Sequence, residues 1–246
     1  MICGGFVKRL DKIIYEKNLA KSRTSAAELI STGKVTVNGE TCTKPSQLVS
    51  ETTIIELCGE MPESLKYISR AGLKLEHALN SFEVDLQGKI CLDVGASTGG
   101  FTDCMLKHSA FKVYAVDVGT NQLDDSLRHD KRVISLEQCD IRTVTTEIPE
   151  KVDFVAVDVS FISQKLILPE LKRFISPKAT LITLIKPQFE LGKKHTGVIT
   201  DKKTRGEVVD KVSNFAKDCG FSVKGLIESP ICGKSGNHEF LMWLEV

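Results

Sequence analysis

The run TLITLIKPQFE, residues 180–190, ends an apolar, β-branched stretch in Lys186, followed at once by Pro187. Taken alone, such a lysine reads as a strand-end residue whose stem covers the core while its ammonium reaches water. Whether it does chemistry depends on what the rest of the chain brings to the same place. A second chemistry-bearing stretch, LDVGASTGGFTDCML, sets Asp93, Gly95, Ser97, Gly99 and Gly100 between a strand and an apparent helix. There the backbone can approach a ligand over the carboxyl end of a sheet. The dinucleotide fingerprint G-x-G-x-x-G would need glycine where Ser97 stands, the position that admits a pyrophosphate. Asp93, two positions before the first glycine, suits a cationic ligand better than a phosphate. Asp117 ends the next strand, where α/β folds commonly hold ribose hydroxyls. Asp140, in EQCDIR after the third strand, is a candidate third contact near an adenine ring. Both also read as ordinary loop-start or cap aspartates.

The elements that must position these residues follow from patterning. From about residue 88, the runs KICLDVG, KVYAVDVG, RVISLE, DFVAVDVS and ATLITLIK are short and apolar, with room for helices between several of them. That pattern predicts a doubly wound α/β sheet. FSVKGLIES and HEFLMWLEV are joined by a stretch too short for a crossover helix, so they should pair antiparallel. The expectation is a mostly parallel, seven-stranded sheet with one reversed edge strand. Pro187 disfavours helical geometry at Lys186 and keeps it extended at its strand end.

The chain divides near residue 60. Residues 8–42 read as two short amphipathic helices followed by a hairpin that turns at Asn38-Gly39. Ser22 or Thr24 caps the second helix, Gly33 stops it, and TTIIEL supplies a further strand. The expected organisation is a small α+β domain over residues 1–58, a linker over 59–66 and a large domain over 67–246. Residues 1–6 match no pattern and read as a frayed extension or a misassigned start.

With 246 residues, 41% hydrophobic and 26% charged, the chain has the composition of globular protein rather than of a disordered one. The net charge of +1 hides a local bias, because Lys8 to Lys44 holds eight basic residues against four acidic ones. That modest basic surface suits a phosphate backbone. No run approaches the ~18 apolar residues of a membrane span, and no signal peptide is legible, so the expected compartment is the cytoplasm. Eight scattered cysteines and five histidines show no metal-ligand spacing, and no metal is expected. Trp243 reads as core. The polar stretch 190–207 reads as a loop that either closes over substrate or is simply solvated, with Lys193, Lys194, Lys202, Lys203 and Arg205 as candidate RNA contacts.

Three resemblances bring these pieces together. RLDK and KSRTSAAELISTGKVTVNG, within residues 7–57, resemble the small RNA-binding module of ribosomal protein S-four. That resemblance implies an RNA-facing surface carrying Lys8, Arg9, Lys12, Lys21, Arg23 and Lys34. DVGASTGGFTD resembles the S-adenosylmethionine site of Rossmann-like methyltransferases. It implies cofactor contacts from Asp93, Gly95, Ala96, Ser97, Thr98, Gly99, Gly100 and Phe101, with Asp117 and Asp140. YISRAGLKLEHAL, VDVSFIS, LIKPQFE and GNHEFLMWL resemble the FtsJ-type RNA 2′-O-methyltransferases, and nearly the whole chain is similar to the haemolysin-named TlyA family. The resemblance implies a methyl transfer from S-adenosylmethionine to a ribose 2′-hydroxyl of ribosomal RNA, on a cytidine, with ribosomal RNA or subunits as partner. It also implies a catalytic set of Lys74, Asp158, Lys186 and Glu239.

Chemically the set is sensible. A ribose hydroxyl is a poor nucleophile, attack on a sulfonium methyl must be in line, and something must accept the proton. The family reading gives that task to Lys186. At a pKa of ~10.4 only about one lysine in a thousand is neutral near pH 7. Desolvation or a neighbouring cation would have to lower this by about 3 units, worth roughly 4 kcal/mol. Lys74 is the candidate cation, while Asp158 and Glu239 would oppose the shift and so read as orienting groups. Two other functions compete: a catalytically silent RNA-binding assembly factor, and a membrane-acting haemolysin, for which the sequence offers no spanning segment.

Overall fold

The computed structural model describes residues 7–20, 22–60, 62–192, 197–233 and 235–246. It divides into two compact units, Met1–Lys66 and Tyr67–Val246. Lys21, Lys193, Lys194, His195 and residues 1–6 lie outside the described residues.

The first unit runs β1 (Val7–Arg9), α1 (Leu10–Glu16), α2 (Arg23–Ser31), β2 (Val35–Val37), β3 (Glu40–Thr41), β4 (Leu48–Ser50) and β5 (Ile55–Leu57). Helical spacing turns Leu10, Ile13 and Ile14 of α1 onto Ala26, Leu29 and Ile30 of α2, and these residues with Val35 and Val49 form one core. The Ser22 hydroxyl accepts the backbone N–H of Ser25 and caps α2. β2 and β3 turn on Asn38-Gly39 with φ of 51° and 85°, the paired positive values that a two-residue hairpin loop of this kind needs. β2 also pairs with β5, and β1 with β4.

The second unit runs α3 (Ala71–Ser81), β6 (Ile90–Val94), α4 (Gly100–Lys107), β7 (Lys112–Val116), α5 (Asp125–Arg128), β8 (Val133–Leu136), β9 (Val152–Val157), α6 (Leu168–Leu171), β10 (Ile175–Ile185), α7 (Pro187–Glu190), α8 (Lys202–Asp218), β11 (Ser222–Glu228) and β12 (Phe240–Glu245). Its sheet has the order β11-β12-β10-β9-β6-β7-β8. The five strands from β10 to β8 pair in parallel, and β12 runs antiparallel to both its neighbours. Seven strands, mostly parallel with reversed pairing at one side, are what patterning predicts. The reversed strand itself is inserted one place in from the edge. FLMWLE is apolar enough to lie between two strands, whereas SVKGLIE, with every second residue exposed, suits the outer position of β11.

Each inner strand is buried on both faces. Leu92, Val116, Val155 and Leu181 pack with α6 and α8, while Cys91, Ala115, Phe154 and Ile182 pack with α3, α4 and α5. The chain order reverses between β6 and β9, and in such sheets the ligand crevice opens at the carboxyl ends of the strands flanking that switch.

α8 changes the reading of the polar stretch after Lys186. Asp201 accepts the backbone N–H groups of Lys203 and Thr204 and caps a 17-residue helix, so Lys202, Lys203 and Arg205 sit in its first turn rather than in a loop. Trp243 is partly buried on β12, its ring tilted against Phe82. Among the described residues no helix is long and apolar enough to cross a membrane, and no group of three or more His, Cys, Asp or Glu residues has the arrangement of a metal site.

Candidate active site

Three positions at strand ends and one on a helix bring two lysine–carboxylate pairs to one cavity of about 490 Å³. Lys186 directly follows β10 and is extended, φ −112° and ψ 96°, with Pro187 opening the short α7 behind it. Asp158 directly follows β9. Lys186 Nζ lies 2.6 Å from Asp158 Oδ1 and donates a hydrogen bond of 2.9 Å to the Ser160 hydroxyl. Lining the same cavity, Lys74 comes from α3 and Glu239 from the residue before β12, and they ion-pair at 2.5 Å. Both are nearly buried, 8% and 3% exposed. Gly233 makes room for this carboxylate, since a Cβ there would stand 2.4 Å from Glu239 Oε1. The cation that sequence reasoning aims at Lys186 is thus itself paired with Glu239.

The glycine loop forms the floor. At Gly95 φ is 86° and a Cβ would fall 2.6 Å from the Asp158 carbonyl oxygen, so only glycine allows the β6 and β9 ends to approach this closely. Gly95, Ala96, Ser97, Thr98, Gly100 and Phe101 all line the cavity. Gly99 does not. Its φ of 96° and a Cβ position 2.2 Å from Leu127 mark it as a packing glycine under α5.

A second cavity of about 450 Å³ shares Gly95, Ser97, Asp158, Ser160 and Phe161 with the first and extends over β7, reaching Asp117 and Asp140. Asp117 accepts the N–H of Ser97 at 2.8 Å and of Gly119 at 2.7 Å, so its carboxylate is fixed by backbone on both oxygens. Asp140 is gripped by the Arg142 guanidinium, which holds its carboxyl below the usual carboxylate range. At this end the cavity therefore meets an Asp140–Arg142 pair, not a lone acid.

Asp93 does not line either cavity. It is fully buried on β6, accepts the Thr102 hydroxyl at 2.6 Å, and has its other oxygen, Oδ1, unpartnered. Burial pushes its carboxyl up to about 7 against the opposing Thr102 bond. Its place is beneath the loop, between sheet and α4.

Two residues at the rim escaped the sequence reading. Phe161 is 89% exposed with φ 64°, and its ring lies 4.8 Å from that of Phe189 on α7. A bulky residue at positive φ and nearly bare to solvent is costly. Nothing in VDVSFIS announces that backbone angle.

Among the described cations expected to face RNA, four already have acidic partners. Lys8 pairs with Glu16 and Glu51, Lys12 with Glu16, and Arg9 and Arg23 with Asp11. Lys34 closes against Gly59, where a Cβ would sit 3.2 Å from its Nζ. The exposed Lys8 and Lys12 pairs are weak, and the Arg9 and Arg23 guanidiniums keep unused donors.

This strand order, the glycine loop after β6, and the acid after β7 define a Rossmann-like methyltransferase. The family model of FtsJ-like methyltransferases matches residues 67–246, and that of the S4 domain matches residues 8–55. A 16S/23S rRNA (cytidine-2′-O)-methyltransferase, TlyA, of Mycobacterium tuberculosis is 42% identical over 240 residues, covering 96% of this chain and 89% of that protein. Hemolysin A of Brachyspira hyodysenteriae is 41% identical over 238 residues, 95% of this chain and 98% of that one. The structure of a hemolysin-named protein from Streptococcus thermophilus matches with a TM-score of 0.72 at 44% identity, over 97% of this chain and 88% of that chain. The chain belongs to the TlyA family, FtsJ-like methyltransferases that carry an S4 domain.

Proposed function

We propose that this protein methylates a ribose 2′-hydroxyl of ribosomal RNA, on a cytidine, using S-adenosylmethionine. The observation that carries the reading is the convergence of Lys186–Asp158 and Lys74–Glu239 on one cavity beside the glycine loop. The two joined cavities fit a long ligand with a nucleoside at one end and a reactive group at the other. Gly95, Ala96, Ser97, Thr98, Gly100 and Phe101 would hold it by close backbone approach, with Asp117 on the ribose hydroxyls and the Asp140–Arg142 pair near the base. When bound, the cofactor supplies a methyl group on a positively charged sulfur.

The protein's own task is to hold the attacking oxygen in line and take its proton. Lys186 is the group that accepts the hydroxyl proton, at Nζ. Asp158 and Ser160 fix where Nζ stands. Glu239 anchors Lys74, whose ammonium faces the developing oxyanion. Phe161 and Phe189 offer a stacking surface for the base of the target nucleotide. The first unit is read as the RNA grip and the second as the seat of chemistry, and a ribosomal substrate puts the reaction in the cytoplasm.

The test is transfer of tritium from labelled cofactor to ribosomal RNA, with Lys186→Ala and Lys186→Arg beside the wild type. Either variant labelling RNA at near wild-type rate would remove Lys186 as the base. A wild-type chain that binds RNA and leaves it unlabelled would favour the silent assembly factor instead.

A further inference from the structure

Lysine carries its charge on a flexible stem, so Lys186 Nζ stands where its partners put it. Both polar partners, Asp158 and Ser160, belong to the segment after β9 and not to the strand that carries the lysine. That segment leaves the sheet through Phe161 at φ 64°, a conformation that persists only when the surroundings hold it. Four contacts bind it to the residues around Lys186. Glu190, the last residue of α7, accepts the Ser163 hydroxyl at 2.5 Å through Oε2 and the Gln164 backbone N–H at 2.9 Å through Oε1. Gln164, 2% exposed, donates its side-chain amide at 3.2 Å to the carbonyl of Leu184, two residues before Lys186. The Phe161 ring rests on Phe189, the residue before Glu190.

We propose that Glu190 is a positioning residue for the methyl-transfer site. By clamping Ser163 and Gln164 to α7, it sets where Asp158, Ser160 and Phe161 stand opposite Lys186, and therefore where the target ribose is held. The clamp rests on the methyl-transfer reading above. A carboxylate suits the place because both donors point at it and charge-assisted hydrogen bonds are roughly twice as strong as neutral ones. Glu190 itself touches no reacting atom, so its loss acts through geometry.

The experiment uses the full chain with S-adenosylmethionine and ribosomal RNA and compares Glu190→Ala, Glu190→Gln and Ser163→Ala with the wild type. Glu190→Ala lowers kcat at saturating RNA and cofactor by about tenfold or more, since a misplacement near 1 Å is enough for such a loss. Cofactor affinity and Tm stay near wild type, and hydrogen exchange at the Gln164 amide speeds up. Glu190→Gln, which keeps an acceptor for that amide, recovers part of the rate, and Ser163→Ala loses less than Glu190→Ala. The proposal is overturned if Glu190→Ala frees the Gln164 amide and still turns over within about twofold of wild type, well short of the loss that misplacement brings. It is equally overturned if Ala and Gln variants lose kcat, cofactor affinity and Tm together, which is collapse of the site and not misplacement. Absence of labelling by the wild type would count against methyl transfer itself, and the exchange signature would remain to judge the clamp.

Discussion

Lys186 and Asp158 meet at 2.6 Å across the carboxyl ends of two neighbouring parallel strands, β10 and β9. Neither residue is in a strand. Each is the first residue beyond one, where backbone that is fixed by the sheet gives way to side chains free to face a ligand. An acid there holds the lysine's nitrogen without needing to join the chemistry. Asp158→Asn keeps the size of the side chain and removes the charge, and is expected to slow single-turnover methyl transfer by about 100-fold, a typical span for a misplaced proton acceptor. Cofactor and RNA affinities should change far less. Ser160→Ala, which removes one hydrogen bond, should cost only a few fold. Equal losses in both variants would mean that the carboxylate has no role beyond the hydroxyl's.

The Lys74–Glu239 pair makes a different prediction, about stability. Both residues are buried, so removing one leaves the other as an uncompensated charge. Lys74→Met should lower stability by about 3 to 5 kcal/mol, the usual consequence of breaking a buried pair from one side. Adding Glu239→Gln to the same chain should restore much of that loss. Denaturant unfolding of the single and double variants measures both terms. If the double variant is no more stable than Lys74→Met, the pair is not the source of the strain.

Asp93 links pH to folding. Its carboxyl is pushed up to about 7 by burial, from an ordinary value of 3.8. Below pH ~4 both the folded and the unfolded chain carry the proton, and its stabilising effect is complete. Between about 4 and 7 the unfolded chain releases the proton while the folded one keeps it, so stability falls as pH rises, by about 4 kcal/mol at most. Asp140, Asp130 and Glu150, held low by arginine or lysine partners, act in the opposite direction. The difference between wild type and Asp93→Asn cancels them. That difference should change across pH 4 to 7 and flatten above it. A difference independent of pH would show that Asp93 ionises in the fold as it does in the unfolded chain.

Much of this arrangement was legible in the sequence, for reasons that are physical. Strands buried on both faces, such as β6 and β9, are mostly apolar runs, and residues placed just after them fall at the sheet's open end. That is why Gly95, Asp117, Asp158 and Lys186 could be set at one edge. What the pattern does not encode is the direction of a side chain. Asp93 alternates onto the face covered by α4, where it meets Thr102 and never reaches the cavity. Asp140 could not be known to be occupied, because its partner Arg142 reaches back over only two residues through a turn. Phe161 owes its exposure to one positive φ. The three-residue strands β1 and β4 are too short to show any period at all. The polar stretch after Lys186 gives way at Asp201 to a helix whose first turn is as polar as the loop before it.

Asp11 allows a prediction whose sign decides the matter. Its side chain, only 6% exposed, accepts Arg9 Nε at 3.1 Å and a second Arg9 nitrogen at 2.8 Å, and pairs with Arg23 at 3.3 Å. The two arginine side chains are about half exposed, 48% and 53%. If the carboxylate merely cancels positive charge on an RNA-facing surface, Asp11→Asn adds net charge and RNA binding tightens. If instead it orients both forks towards one stretch of phosphate backbone, Asp11→Asn weakens binding despite the added charge. The second outcome is expected, with a loss of about tenfold and a salt dependence shallower by roughly one phosphate contact. Binding of ribosomal RNA fragments at several salt concentrations, with Arg9→Lys and Arg23→Lys as companions, reads both the sign and the slope. Lysine keeps the charge but not the fork, so each companion should weaken binding in the wild-type background and add little to Asp11→Asn.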